Sequence, residues 1–264
     1  MKSGFIGAGR IGCSLAKYFE EKGSTVSGVY SRSGGLPAEE VVKNSEILFL
    51  TVPDSAIADV WDDVKKLPIE DKIICHTSGA LSSDVFAGIE KLGAYGYSVH
   101  PFLAFSSKNT DVGLISRTFF TIEGSEKRLD DVKCLIECLG NSVRIIDKSQ
   151  KAKYHAAAVF LSNHVTAIAQ VGCNVLKGCG LDDEFTHAAL NTIFLGNAGK
   201  VAETGTVNSL TGPVERNDVM TVKKHIDALE NSELKIYKLL TRELIKIAGK
   251  KHKSRDYSEM KALL

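Results

Sequence analysis

Over its first 148 residues the chain alternates short β-rich runs with helical stretches, and this alternation limits the possible folds more than any other feature. The β-rich runs are Lys2–Gly7, Thr25–Tyr30, Ile47–Val52, Lys72–His76, Ala94–Val99, Arg117–Ile122 and Ser142–Ile146. Helical patterns fill most of the intervals, at Ile11–Lys22, Asp54–Lys65, Ser82–Leu92 and Glu126–Leu139. Two parallel strands need a crossover of a dozen or more residues, which a helix supplies. The order therefore predicts an α/β, doubly wound parallel sheet covered on both faces. From Ser149 onward strand signals vanish, and helical segments follow at Ala152–Gly178, Glu184–Glu203 and Pro213–Gly249. Leu181-Asp182-Asp183-Glu184 places acids at a helix start, where the dipole favours them. In the last segment Ile226, Leu229, Glu233, Tyr237, Leu240, Leu244 and Ile247 recur at three- and four-residue steps, all but Glu233 apolar, which predicts one buried face. The expected plan is a nucleotide-binding domain over 1–148 and an all-helical domain over 149–264.

Composition narrows the functional classes. The chain has 264 residues, 44% hydrophobic and 25% charged, with a net charge of +1. That is enough for one large or two medium cores, and it excludes a disordered chain or a coiled-coil rod. Near-neutral charge leaves no electrostatic footprint for nucleic acid or an anionic membrane. The one basic cluster, Lys250-Lys251-His252-Lys253-Ser254-Arg255, reads as a solvated helix end. No export signal precedes the first strand, so a cytoplasmic protein is expected. The apolar stretch from Ala156 to Gly172 is interrupted by Ser162, Asn163, His164 and Gln170, and reads as a buried helix of a soluble domain. The six cysteines show no metal-ligand spacing and read as buried, reduced thiols, with no metal implied.

Gly7-Ala8-Gly9-Arg10-Ile11-Gly12 is a G-x-G-x-x-G motif between a strand pattern and a helix pattern. In that setting Gly7 permits the tight turn, Gly9 lets backbone approach a pyrophosphate, and Gly12 allows close helix–strand packing. The unpaired N–H groups of the helix start would meet the phosphates. The second strand ends in Tyr30-Ser31-Arg32-Ser33, with no acid until Glu39. A carboxylate there would accept from the ribose hydroxyls of NAD, whereas Arg32, with Ser31 and Ser33, suits the 2′-phosphate of NADP. The cofactor expected is NADP. Val52, Pro53, Thr77 and Ser78 close the third and fourth strands at the carboxyl edge, where ligands of such sheets collect, though either loop could be plain capping chemistry.

Three further segments are candidates for a substrate site. His100-Pro101 ends the fifth strand, and His100 is an acid or anion contact, or a structural histidine. In the helical run Lys151 to His164, His155 and Ser162 return to one face at ~100° per residue, with Asn163 about a quarter turn away. That polar strip on an Ala-rich helix either hydrogen-bonds another helix or lines a cleft. Thr211-Gly212-Pro213 opens a helix and offers a cap with free N–H donors, and Arg216 could grip a carboxylate or pair with Asp218.

Taken in order, the Gly7–Gly12 fingerprint, Val52-Pro53, His76-Thr77-Ser78-Gly79, His100-Pro101, Tyr154–His164 and Leu210–Asp218 resemble a family of Rossmann-like NADP oxidoreductases with a helical C-terminal domain. The wider architecture is similar to pyrroline-5-carboxylate reductase and to deazaflavin-dependent NADP oxidoreductases. This resemblance implies a Rossmann domain and a helical domain like the C-terminal one of 6-phosphogluconate dehydrogenase, interlocked in a homodimer. It also implies hydride transfer to or from a small C=N or C=O substrate carrying a carboxylate. His155, Ser162 or Asn163 would donate to the reduced heteroatom, Thr211 and Arg216 would hold the carboxylate, and His100 would assist. A non-catalytic NADP-binding sensor and a deazaflavin-linked oxidoreductase remain the alternatives.

Overall fold

The computed structural model describes residues 1–264. Its contacts divide the chain into two compact units, 1–162 and 163–264.

The first unit contains β1 (Ser3–Ile6), α1 (Arg10–Glu21), β2 (Val26–Ser31), β3 (Gly34–Gly35), α2 (Ala38–Asn44), β4 (Ile47–Leu50) and α3 (Asp54–Val64). It continues through β5 (Ile73–His76), β6 (Tyr95–Pro101), α4 (Val112–Arg117), β7 (Phe119–Gly124), α5 (Leu129–Cys138), β8 (Ser142–Ile145) and α6 (Lys151–Phe160). The strands form a single sheet in the order β3-β2-β1-β4-β5-β6-β7-β8. Successive side chains alternate between two cores, as strand geometry requires. Phe5, Phe49, Cys75, Tyr97 and Val99 pack with Leu15, Tyr18 and Phe19 of α1 on one face. Ile6, Leu48, Leu50 and Ile74 pack with Ile57 and Trp61 of α3 on the other. Burial on both faces explains why these strands read as continuous apolar runs.

Each of the seven β-rich runs contains a strand, although Arg117 ends α4 and β7 begins only at Phe119. Four details differ from the sequence expectation. The sheet is not wholly parallel, because β7 runs antiparallel to β6, with His100 opposite Thr121. Ser82–Leu92 is not a helix but a pair of 3₁₀ turns, Ser83–Val85 and Ile89–Leu92, separated at Gly88, whose φ of 80° no α-helix accepts. A two-residue strand, β3, folds back on β2, and α2 and α4 appear where no helix is expected. The first unit also extends one helix beyond Ser149, because α6 is tied to the sheet: the Lys151 ammonium donates to Ser78 O and Ser98 Oγ.

The second unit comprises α7 (Asn163–Gly178), α8 (Asp183–Ala189), a π-helical turn at Leu190–Phe194 and α9 (Leu195–Ser209). After these come α10 (Pro213–Arg216), α11 (Val219–Ala228), α12 (Asn231–Lys251) and α13 (Ser258–Ala262). Asp182 caps α8 by accepting from Phe185 N, consistent with the acidic helix start. The core is small: Leu210, Val214, Val222, Ile245, Ala248, Tyr257 and Met260. The basic cluster is more than a solvated end. Lys251 donates to Leu210 O at 2.8 Å, His252 bonds Glu215, and Arg255 donates to the Glu215 carbonyl.

Two other expectations need correction. The helical run starting at Lys151 is broken at Leu161-Ser162, where a tightened turn (Ser162 N to Val159 O, 3.3 Å) ends α6. The stretch Lys148–Gly178 is long and apolar enough to cross a membrane by length and composition: its most apolar 18-residue window has a mean hydropathy of 1.3, and no residue of that window is buried. Phe160, Leu161 and Ile168 are exposed, so this is not a helix buried by its own chain. Among the cysteines only Cys75 is fully buried, and none of the six forms a disulfide.

Candidate active site

The sheet order reverses between β1 and β4, and the loops leaving these strands enclose the crevice where ligands of open α/β sheets bind. Gly7 sits at φ 118°, a conformation that favours glycine, and its N–H donates to Tyr30 O. Gly12 is needed for contact: a Cβ there would lie 1.9 Å from Gly7 O and 2.5 Å from Thr51 Oγ1. Gly9 differs, since a Cβ on it would meet only Thr51 O, at 3.7 Å, so its open side is available for an approaching group. Thr51 Oγ1 donates to Gly7 O at 2.7 Å and fastens the turn from the neighbouring strand. α1 begins at Arg10 with no side-chain cap and no acid in its first turn. The amides of Arg10, Ile11 and Gly12, beside Ala8 and Gly9, therefore lie at a helix start with no side-chain cap and no competing carboxylate, the arrangement that suits an anion.

At the end of β2, Ser31 Oγ donates to Gly34 O at 2.8 Å and lies 3.1 Å from Ser33 Oγ. The Arg32 side chain is exposed, and no carboxylate pairs with it. These features fit the adenosine and pyrophosphate portion of NADP. The first glycines bracket an uncapped helix start, and the only charge presented at the end of β2 is positive.

A second polar centre lies at the carboxyl ends of β5 and β6. Val52 and Pro53 lead into α3, whose first residue, Asp54, accepts from Ser78 Oγ at 2.6 Å. Ser78 Oγ in turn accepts from Ala80 N and Leu81 N, while Thr77 beside it is buried. His76 is fully buried. Its Nδ1 accepts from Ser78 N at 3.2 Å, so Nε2 carries the proton and donates to Ser82 O at 3.1 Å. Burial, with a smaller contribution from Lys151, holds the His76 pKa down at about 4. Lys151, only 2% exposed, donates to Ser98 Oγ at 2.6 Å and to Ser78 O at 3.0 Å. Burial lowers its pKa to about 8, against the partial support of Glu123 and Asp54. His100 Nδ1 lies 2.8 Å from the Tyr154 hydroxyl, and burial, then Lys151, holds the His100 pKa near 3. His155 stands beside His100, ring centroids 6.3 Å apart.

The sequence candidates thus divide. His100 and His155 meet within the first unit, together with Ser78. Ser162 ends that unit, its hydroxyl donating to Ala158 O at 2.7 Å, and Asn163 begins α7. In the second unit Thr211 lies one residue before the actual N-cap, Gly212, and no side chain caps α10. The positive φ of Gly212, 93°, explains the cap position. Arg216 lies on the four-residue α10 near Asp218, which caps α11 through Thr221 N. Lys151, His76 and Tyr154 of the polar centre were not among the sequence candidates for catalysis or binding, and neither was Gly79. A lysine at the head of an Ala-rich helix was the signal for Lys151, and the motifs His76-Thr77-Ser78-Gly79 and Tyr154–His164 carried the others without assigning them a role.

Residues 1–101 match the family described as Rossmann-like domain, and residues 118–244 match a domain of unknown function, DUF2520. No curated protein matches. Among solved structures, protein TM1727 of Thermotoga maritima is similar over 94% of this chain and 98% of its own, at 25% identity and a TM-score of 0.76. An imine reductase of Myxococcus stipitatus in complex with NADP+ is similar over 100% of this chain and 99% of its own, at 15% identity and a TM-score of 0.63. The pyrroline carboxylate reductase of Plasmodium falciparum, with NADP bound, is similar over 100% and 98%, at 15% identity and a TM-score of 0.58. The shared fold is a Rossmann-like sheet domain followed by a helical domain.

Proposed function

We propose that the chain is an NADP(H)-dependent oxidoreductase that moves hydride to or from a small C=N or C=O substrate carrying a carboxylate. The observation that carries this reading is the pairing of two features on one sheet edge. One is an uncapped, glycine-framed helix start with Arg32 nearby. The other is a buried cluster of Lys151, His76 and His100 whose pKa values are all displaced. Groups with displaced pKa values cluster at functional sites, which makes this cluster a candidate for one. NADP occurs in similarly folded proteins from Myxococcus and Plasmodium, and their names as reductases support this reaction class.

The amides of residues 7–12 would hold the pyrophosphate, and Ser31, Arg32 and Ser33 the 2′-phosphate. When bound, the nicotinamide supplies or accepts the hydride. The protein's own part is to position the reacting carbon and manage one proton. His100 and His155 lie nearest that task, and Ser78 holds the loop that carries Gly79. Thr211 and Arg216 are the proposed carboxylate contacts. A second copy of the chain is the proposed partner, covering the exposed apolar side chains Ile193, Leu195 and Phe185 of the helical unit. Calorimetric titration with NADPH and NADH tests the cofactor, and NADPH oxidation against imines, 2-oxo acids and aldehydes tests the chemistry. Saturation by NADPH followed by turnover of one substrate class is expected. Absence of binding by either coenzyme would overturn the reading.

A further inference from the structure

Cys134 and Cys138 stand one turn apart on the exposed face of α5, with their Sγ atoms 3.8 Å from each other. Residues four apart on a helix keep their Cβ atoms about 5–6 Å apart. A disulfide needs about 3.5–4.5 Å between them, so an intact α5 holds the pair short of closing on itself. A soft cation bridging two thiolates asks for a different spacing. Two metal–sulfur bonds of about 2.3 Å, opened at an angle between tetrahedral and trigonal, put the sulfurs about 3.8–4.0 Å apart. The two sulfurs already stand at that separation.

The surroundings decide which cation fits. The neighbouring carboxylates of α5 are engaged by cations: Asp131 accepts from Arg128 Nε at 2.7 Å, and Glu137 lies 3.8 Å from Lys133 Nζ. No group of three His, Cys, Asp or Glu side chains is placed to hold a metal ion. Zn(II), which takes four ligands in structural sites, would lack half of them. Cu(I) is a soft ion that thiolates select, and two or three sulfurs satisfy it. The pair borders a hollow of about 320 Å³ whose walls include Lys22, Arg128 and Leu135. The two cations offset the negative charge that thiolates gather around a monovalent metal, and the open side admits a third sulfur.

We propose that Cys134 and Cys138 form a Cu(I) site, with two sulfurs from the protein and a third from a small thiol in solution. Met1, Gly23 and Ser24 also line the hollow, so it lies at the amino ends of β1 and β2, on the opposite edge of the sheet from the dinucleotide crevice. The site is therefore separate from the oxidoreductase reading. Binding breaks two S–H bonds, forms two S–Cu bonds and releases two protons to water, while copper stays Cu(I) throughout. The adjacent Cys138 raises the pKa of Cys134, so the two thiols do not readily ionise together until a cation lies between them.

The test titrates the reduced full chain with Cu(I), oxygen excluded, against bicinchoninate as the competing chelator, first without and then with glutathione. One Cu(I) per chain is expected, and X-ray absorption at the copper edge should show sulfur neighbours alone, with one more when glutathione is present. Cys134→Ser and Cys138→Ser should each weaken binding about a hundredfold, because the remaining sulfur loses its linked partner. Both thiols are exposed, so these variants keep the core and should bind NADPH as the parent does. The doubly substituted chain reads what the other four cysteines take. Equal affinity in that chain, oxygen or nitrogen neighbours at copper, or Zn(II) bound as tightly as Cu(I) would overturn the proposal. Failure of the parent to bind NADPH would touch only the oxidoreductase reading.

Discussion

Replacing Lys151 with methionine probes the buried polar centre directly. The ammonium is nearly inaccessible, and its pKa falls from the ordinary 10.5 to about 8. A depressed lysine pKa means that the folded state holds the proton less tightly than the unfolded state. Below pH 8 the folded protein therefore bears the whole cost of a desolvated charge, and above 10.5 it bears none. At ~1.4 kcal/mol per pK unit the cost near neutrality is about 3 kcal/mol. Integrating the two titrations, about 2 kcal/mol of it disappears between pH 7 and pH 9.5. Methionine keeps most of the volume but leaves Ser98 Oγ and Ser78 O without their charged donor, a loss of about 1–3 kcal/mol. At pH 7 the gain and loss nearly cancel, so the variant should be about as stable as the parent. Urea unfolding at both pH values isolates the lysine, because every other group titrates in both proteins. The parent should gain about 2 kcal/mol on the variant between pH 7 and pH 9.5. Parallel pH profiles would refute the argument that burial governs this group. The same substitution removes the second-largest cause of the low His100 pKa, so that pKa should rise toward the ordinary value of 6.5.

Other perturbations address the remaining claims. Gly12→Ala drives a methyl into the Gly7 carbonyl, a backbone contact that cannot swing aside, and should abolish NADPH binding or folding by thermal shift. Arg32→Ala should lower NADPH affinity by about ten- to a hundredfold, for a charge-assisted bond worth ~1.5–3 kcal/mol, and change NADH affinity little in calorimetry. Tyr18→Phe removes a buried hydroxyl that donates to Asn141 Oδ1 at 2.7 Å and should cost about 1–2 kcal/mol in urea unfolding. Ile193, 77% exposed, should tolerate Asp in an isolated chain; if a second copy covers it, Ile193→Asp should convert a dimer to a monomer in light scattering.

Most of the sheet domain was legible because its determinants are local. Ile47–Leu50 and Ile73–His76 are buried on both faces, and a short apolar run bounded by polar turns announces such strands. The Gly7–Gly12 turn was legible for the same reason: Gly7 and Gly12 answer close contacts with their own loop and with Thr51 on the neighbouring strand, while Gly9 leaves its side open. The antiparallel reversal at β7 was not, since strand direction is decided by where the chain from 102 to 118 travels, and that carries no periodic signal. The Gly88 break was visible as a residue but competed with a helical pattern on either side. His100 and His155 were legible as candidates from their strand end and helix face. Their packing against Gly79 depends on α6 docking through Lys151, a contact across 73 positions that no spacing rule reveals. The unburied apolar run after Lys148 shows the opposite failure: composition predicted burial, and the chain alone does not provide it.

The small hairpin made by β2 and β3 bears on how this protein could diverge. Arg32, Ser33, Gly34 and Gly35 are exposed and outside both cores, whereas the Gly7–Gly12 turn is locked against Thr51 and its own backbone. Selection could therefore exchange the hairpin tip freely, swapping one coenzyme preference for another without loosening the scaffold, while the neighbouring loop stays frozen across the same descent.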